Sequence, residues 1–152
     1  MVAHSRSKDV RSGRVLSVGL LAAYVAVVLA GTVAVRSRVA KRVVHPDVVG
    51  RLWRLFGQGH ALDPEPLANM LMFVPVGFLF PVALGLGLGG TLLASLALSG
   101  CIETAQYLLA CGECEPADVV LNVASSLVGY GAWWLTRQSL TRLGKRSRHC
   151  GE

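Results

Sequence analysis

The chain has 152 residues, of which 53% are hydrophobic and only 16% charged. A soluble domain carries roughly a quarter of its residues as charges, so this composition excludes a water-soluble globule and indicates an integral membrane protein. The net charge of +6 sits in the tails and one loop, beside apolar stretches. There it sets topology and meets anionic lipid, so membrane lipids are expected partners and nucleic acid is not.

Residues 1–14 read as a basic tail bearing Arg6, Lys8, Arg11 and Arg14. Residues 15–35 carry no charge over 21 positions, and a span needs about 20 apolar residues. The basic start and the small residues near Gly31 also fit a signal peptide. The uncharged run is longer than the usual signal core of about 7–15 residues, so the reading is a retained first span.

Residues 36–66 form the one long connection, with Arg36, Arg38, Lys41, Arg42, Arg51 and Arg54. Within it, 48–56 (VVGRLWRLF) places Val48, Leu52, Leu55 and Phe56 at helical spacing with Arg51 and Arg54 between them. That pattern predicts a short amphipathic helix on the membrane surface. A loop helix packed on the bundle fits the same spacing.

Asp63-Pro64-Glu65-Pro66 launches the second span, 67–88, with acids where the helix dipole favours them. Pro75 and Pro81 lie inside it and predict a kink. The uncharged run 85–90 (GLGLGG) reads as a tight turn into the third span, 91–110. A second tight turn, 111–117, carries Glu113 and Glu115 and leads to the fourth span, 119–136. Trp133 and Trp134 read as an interfacial belt. Residues 137–152 form a basic C-terminal tail, expected to extend the last helix.

The predicted fold is therefore all-α: one domain, 15–136, of four transmembrane helices between two tails. An even number of spans puts both tails on one side. Nine tail cations stand against six in the first loop. By the positive-inside tendency both termini are cytoplasmic in a multi-pass plasma-membrane protein.

Against this apolar background five polar residues stand out. Asn69, Glu103, Gln106 and Asn122 lie within spans, and Asp118 lies at the threshold of one. An ionisable group at the centre of a span costs about 2.5–3.5 kcal/mol on insertion scales, so it is usually retained for use. Alternating helix directions bring all five to one half of the bundle, the outer half if the tails are inside. Glu103 and Gln106 share a helix face, which Ser95 and Ser99 extend in four-residue steps. Asp118 and Asn122 share another, continued by Ser125, Ser126 and Gly129. The expectation is a polar pocket walled by spans two, three and four. The same amides could equally act as interhelical glue, at about 0.6 kcal/mol each.

Cys111-Gly-Glu-Cys114 could close a small disulfide on an oxidising face. It lacks the strand-then-helix setting of a redox motif. Zinc would need two further ligands, and only His45 and His60 of the first loop are available. No metal and no cofactor are expected. Cys101 reads as a small packing residue and Cys150 as a cytoplasmic thiol.

The run Asn69-Met-Leu-Met-Phe-Val-Pro-Val-Gly77, then Glu103-Thr-Ala-Gln106, then Asp118-Val-Val-Leu-Asn122 resembles the VanZ-like family. That family's pattern is N-x-x-x-F-x-P-x-G, E-x-x-Q and R-x-x-D-x-x-D-x-x-x-N before a Gly-rich helix. The match covers residues of about 67–135. In this chain Gly112 stands at the family arginine and Glu115 at its first aspartate. A site needing that cation is altered unless Arg51 or Arg54 replaces it. The resemblance implies a small membrane protein linked to lowered susceptibility to teicoplanin-type glycopeptide antibiotics.

The leading expectation is thus a non-enzymatic envelope protein. It would act on a lipid-linked cell-wall precursor or a lipoglycopeptide through Asn69, Glu103, Gln106, Asp118 and Asn122. The alternative is a membrane-embedded enzyme using Glu103 and Asp118 as acid and base on a lipid head group. A transporter would need oligomerisation, since four spans leave little room for a path.

Overall fold

The computed structural model describes residues 2–34, 43–60, 64–110 and 113–149. In chain order they form α1 (Val2–Ala34), β1 (Val43–Val44), α2 (Val48–Leu52) with one π-helical turn (Trp53–Gly57), α3 (Pro64–Leu84), α4 (Leu88–Leu109), β2 (Glu113–Cys114) and α5 (Pro116–His149). Four of the helices hold segments long and apolar enough to cross a membrane: Ser12–Thr32, Pro66–Leu84, Leu88–Leu109 and Pro116–Arg142. The all-α, four-span reading of the sequence is borne out.

Two boundaries differ from expectation. The segment read as an N-terminal tail is helical from Val2, continuous with the first span. The turn between α3 and α4 needs only Gly85, Leu86 and Gly87, because Gly85 adopts a left-handed φ of 70° that other residues rarely take. Helix α5 extends past its 18-residue apolar core into the basic tail, as expected, and runs through Gly144 to His149, with no Pro after Trp134 to stop it. Helix α3 runs through Pro75 and Pro81 without interruption.

Helix α3 is the hub of the bundle. Phe73, Val76, Leu79 and Phe80 pack with Leu21 and Val28 of α1 and Ile102 of α4 into one apolar core. Tyr24 of α1 also donates to the Met72 carbonyl at 3.1 Å. Against α5, α3 approaches so closely that a Cβ at Gly77 would collide with the Ser126 carbonyl oxygen. One at Gly129 would collide with the Val74 carbonyl oxygen. Small residues that let backbones meet are how helices associate in lipid, where burial of apolar surface supplies no drive. Large apolar side chains such as Val15, Leu16, Leu93, Val128 and Leu135 face outward instead.

The end of the bundle opposite the chain termini is tied together by its connections. Val43 and Val44 of the first loop pair in parallel with Glu113 and Cys114 of the last one. His45 N donates to the Cys114 carbonyl at 3.0 Å. Asp47 caps α2 by accepting from Gly50 N at 2.8 Å. The short helix expected in this loop is present and has two characters. Leu55 is buried, while Val49, Trp53 and Phe56 are exposed. Regular helical spacing groups Phe56 with Leu52 and Leu55. The wider π turn changes the phase and puts Phe56 outside.

Candidate functional site

Polar side chains on α3, α4 and α5 meet beneath this tied end. Asn69, one turn into α3, donates through Nδ2 to Asp118 Oδ2 at 2.7 Å. Asp118 lies in the first turn of α5, where the dipole and free amides favour an anion. Glu103 of α4 accepts at Oε2 from the backbone N–H of Glu115 at 2.8 Å. The Asp118 N–H in turn donates to the Glu115 carbonyl at 2.8 Å. The Glu115 backbone therefore links the two acidic residues, through its N–H to the Glu103 carboxylate and through its carbonyl to the Asp118 N–H.

Gln106, one turn nearer the end of α4, donates from Nε2 to the Thr32 carbonyl of α1 at 3.2 Å. Asn122 donates from Nδ2 to Ser99 Oγ at 2.9 Å. Glu103, Gln106, Asp118 and Asn122 are between 2% and 6% exposed. At that depth each bond matters, because a buried polar group left alone loses its hydration without return.

Below Glu103 the polar face continues. Thr91, Ser95 and Ser99 follow one another at steps of four along α4 and are fully buried. Ser125 and Ser126 of α5 are buried as well. Ser126 spends its hydroxyl on the Val123 carbonyl at 2.8 Å.

Above Glu103, Arg51 of α2 reaches over α5. Its Nε lies 2.9 Å from Glu115 Oε2, with the two side chains 29% and 15% exposed. The pair is an ionic contact without hydrogen-bond alignment, so both atoms are buried and lack a hydrogen-bond partner. A cleft of about 370 Å³ opens beside it, lined by His45, Pro46, Asp47, Arg51, Arg54, Glu115 and Ala117. Cys114 stands next to Glu103. Burial raises its thiol pKa first, and the neighbouring carboxylate, which the thiol also hydrogen-bonds, raises it further.

Asn69 and Asp118 are thus in direct contact, and Glu103 joins them through the backbone of Glu115. Asn122 and Gln106 belong to the same end of the bundle but bond to Ser99 and to α1. Residues 111 and 112 lie outside the described residues, and with them the Cys111–Cys114 pair and the position of the family arginine. A cation does stand beside Glu115, at the family's first aspartate position, and it is Arg51 of the first loop. Sequence reasoning overlooked Glu115 as the junction and Thr32 as the acceptor for Gln106. The latter is a backbone carbonyl and leaves no trace in residue type. Among the described residues no three His, Cys, Asp or Glu side chains come together as a metal-binding set.

A family model for VanZ/LLP1 matches residues 15–137, from the start of the first span to the end of the apolar part of α5. No curated protein and no solved structure matches the chain. The match takes in all four apolar helices and every polar residue of the network, so this membrane bundle belongs to the VanZ/LLP1 family.

Proposed function

We propose that the protein sits in the plasma membrane with both termini in the cytoplasm. There it alters how the cell envelope meets a lipid-linked ligand or a glycopeptide-type antibiotic. The network of Asn69, Glu103, Gln106, Asp118 and Asn122 is the responsive part. One observation carries this reading: Glu103, buried in a span, is bonded to the backbone of the loop residue Glu115, whose side chain meets Arg51. A ligand that moves the loop must change the partners of a buried carboxylate. Re-pairing buried polar groups has a free-energy cost of about 1–3 kcal/mol for each one left unsatisfied, enough to favour one packing of the helices over another.

Glu103→Gln keeps size and hydrogen bonding and removes the acid. Under this reading it accumulates normally in the membrane and changes susceptibility to a lipoglycopeptide relative to the parent chain. Equal abundance with equal susceptibility refutes a role for the acid. Topology has its own test, in a background without native cysteines. A single cysteine at position 112 reacts with an impermeant thiol reagent added outside, and one at 145 does not.

A second reading has one observation in its favour. Two buried carboxylates have different partners: Glu103 accepts from the Glu115 backbone N–H, and Asp118, three residues on, accepts from Asn69 Nδ2. Such a pair divides acid and base roles when its environments differ. A membrane-embedded enzyme acting on a lipid head group would leave a changed lipid species. Lipid mass spectrometry of cells with and without the gene decides between the two.

A further inference from the structure

The cleft beside Arg51 holds charges that the network below it does not use. Its acids are each engaged. Asp47 caps α2 through Gly50 N, and Glu115 meets Arg51. Arg54 is exposed and makes no ion pair among the described residues. Arg51 Nε and Glu115 Oε2 touch as ions yet are buried without a hydrogen bond. The cleft therefore offers, among the described residues, an unmatched cation beside an ion pair that holds no aligned hydrogen bond. Its volume of about 370 Å³ lies within the range of about 300–1,000 Å³ of small-ligand sites.

The surroundings say from which side such a ligand comes. The cleft lies at the start of α5, the end of a membrane-spanning segment, and hence at head-group level. The helix that supplies Arg51 and Arg54 turns Val49, Trp53 and Phe56 outward, at 79%, 67% and 61% exposure. A surface helix with an aromatic outer face rests in the bilayer interface, where indole rings are favoured. A Cβ at Gly57 would lie 3.0 Å from the Trp53 ring, so the indole lies across that glycine. Arginine at the interface reaches toward phosphate while its neighbours stay in the acyl region.

We infer that this cleft is the head-group subsite for a membrane amphiphile carrying a phosphodiester with a hydroxyl donor, entering laterally from the bilayer past Trp53. Arg54 and the terminal nitrogens of Arg51 take the phosphate, and the Glu115 carboxylate, through its oxygen not facing Arg51 Nε, accepts from the hydroxyl. Two carboxylates already line the cleft, so a singly charged diester is preferred to a doubly charged monoester. The inference rests on the reading above only in taking the loop end as the ligand-facing end.

The test uses the full chain in neutral detergent and counts retained lipid by native mass spectrometry. The probes are phosphatidylglycerol, phosphatidic acid, diacylglycerol and soluble glycerophosphoglycerol. Phosphatidylglycerol is retained most strongly. Arg54→Gln lowers that retention about tenfold, the loss expected for a charge-assisted hydrogen bond to phosphate. Arg54→Lys keeps part of it. Arg142→Gln, an exposed cation at the other end of the molecule, leaves it unchanged. Trp53→Ala lowers retention of the lipid and Trp53→Phe restores it.

The inference falls if Arg54→Gln and Arg142→Gln lose lipid equally, which would mean attraction to bulk charge. It also falls if phosphatidic acid is retained better than phosphatidylglycerol. It falls too if glycerophosphoglycerol competes as well as the lipid, which would mean an aqueous ligand. If Arg54→Gln sheds lipid while Glu103→Gln leaves susceptibility unchanged, the subsite stands and the envelope reading fails. The converse result removes the subsite and keeps that reading.

Discussion

At the loop end of the bundle, helices are held by directional bonds between polar groups. Halfway down, they are held by missing side chains. Asn69, Asp118 and Glu103 join three elements through contacts of 2.7–2.8 Å. Gly77 and Gly129 join two helices by leaving no atom between their backbones. Both devices answer the same problem, which is that lipid does not drive apolar helix faces together. They differ in what they tolerate. A hydrogen bond can exchange partners at modest cost, whereas a backbone-to-backbone contact has no alternative geometry. The first kind suits a region that responds to something, and the second a region that stays fixed.

That difference can be broken first where it is most rigid. Gly77→Ala and Gly129→Ala each force a Cβ into a carbonyl oxygen of the neighbouring helix. Overpacking typically costs about 1–3 kcal/mol and occasionally more; contact with backbone puts these at or above the top of that range. The expected result is loss of monodisperse protein in detergent. Gly100→Ala, where a Cβ meets nothing within 4 Å, is the control and gains about 0.5–1 kcal/mol of helix stability. If all three behave alike, the close approach is not what holds α3 to α5.

The polar end gives the next largest effect. Asp118→Ala removes the acceptor for Asn69 Nδ2 and costs about 1–3 kcal/mol, read as a lowered unfolding temperature in detergent. Asn69→Leu in the same background recovers part of the loss, because no orphaned amide is then buried. A double variant that simply sums the two single effects would show that these groups do not act as a unit.

Cys114 reports on the same end through pH. Its raised thiol pKa comes first from burial and then from Glu103. Raised folded pKa means the folded state holds the proton more tightly. Its stabilising contribution is full below the ordinary thiol pKa and is lost as pH rises through the folded value. With the other cysteines changed to serine, alkylation of Cys114 at pH 8 is slower than that of a free thiol and speeds up at higher pH. Glu103→Gln shifts the profile part of the way down, since burial remains. An unchanged profile would separate the thiol from the carboxylate.

The smallest effect belongs to the contact nearest water. Arg51 is 29% exposed and its bond to Glu115 is poorly aligned, so Arg51→Gln costs about 1 kcal/mol or less and the cost shrinks with added salt. A loss as large as that of Asp118→Ala would move Arg51 from the proposed head-group cleft into the structural network.

Some of this was legible residue by residue. The charge-free run after Arg14 and the one after Pro66 read as spans, because apolar stretches of that length match the thickness of a bilayer. Glu103 and Gln106 had to share a face by helical period, and alternating directions had to bring Asp118 and Asn122 to the same end. The family motifs pointed to the same positions, and Gly77 turned out to be the residue that lets α3 touch α5.

What the sequence by itself determined, then, was the number of spans, the polar set and the end of the bundle at which it gathers. These follow from hydropathy and a 3.6-residue period, which are local properties of the chain. Tertiary structure alone decided the pairing. Nothing local says that Glu103 bonds to the Glu115 backbone, that Gln106 reaches the Thr32 carbonyl 74 residues away, or that Arg51 arrives beside Glu115. Those partners include backbone atoms, which every residue carries, and a loop placed by a two-residue bridge between β1 and β2. Phe56 makes the same point: its period grouped it with Leu52 and Leu55 on one face, whereas across the π turn Leu55 is buried and Phe56 exposed.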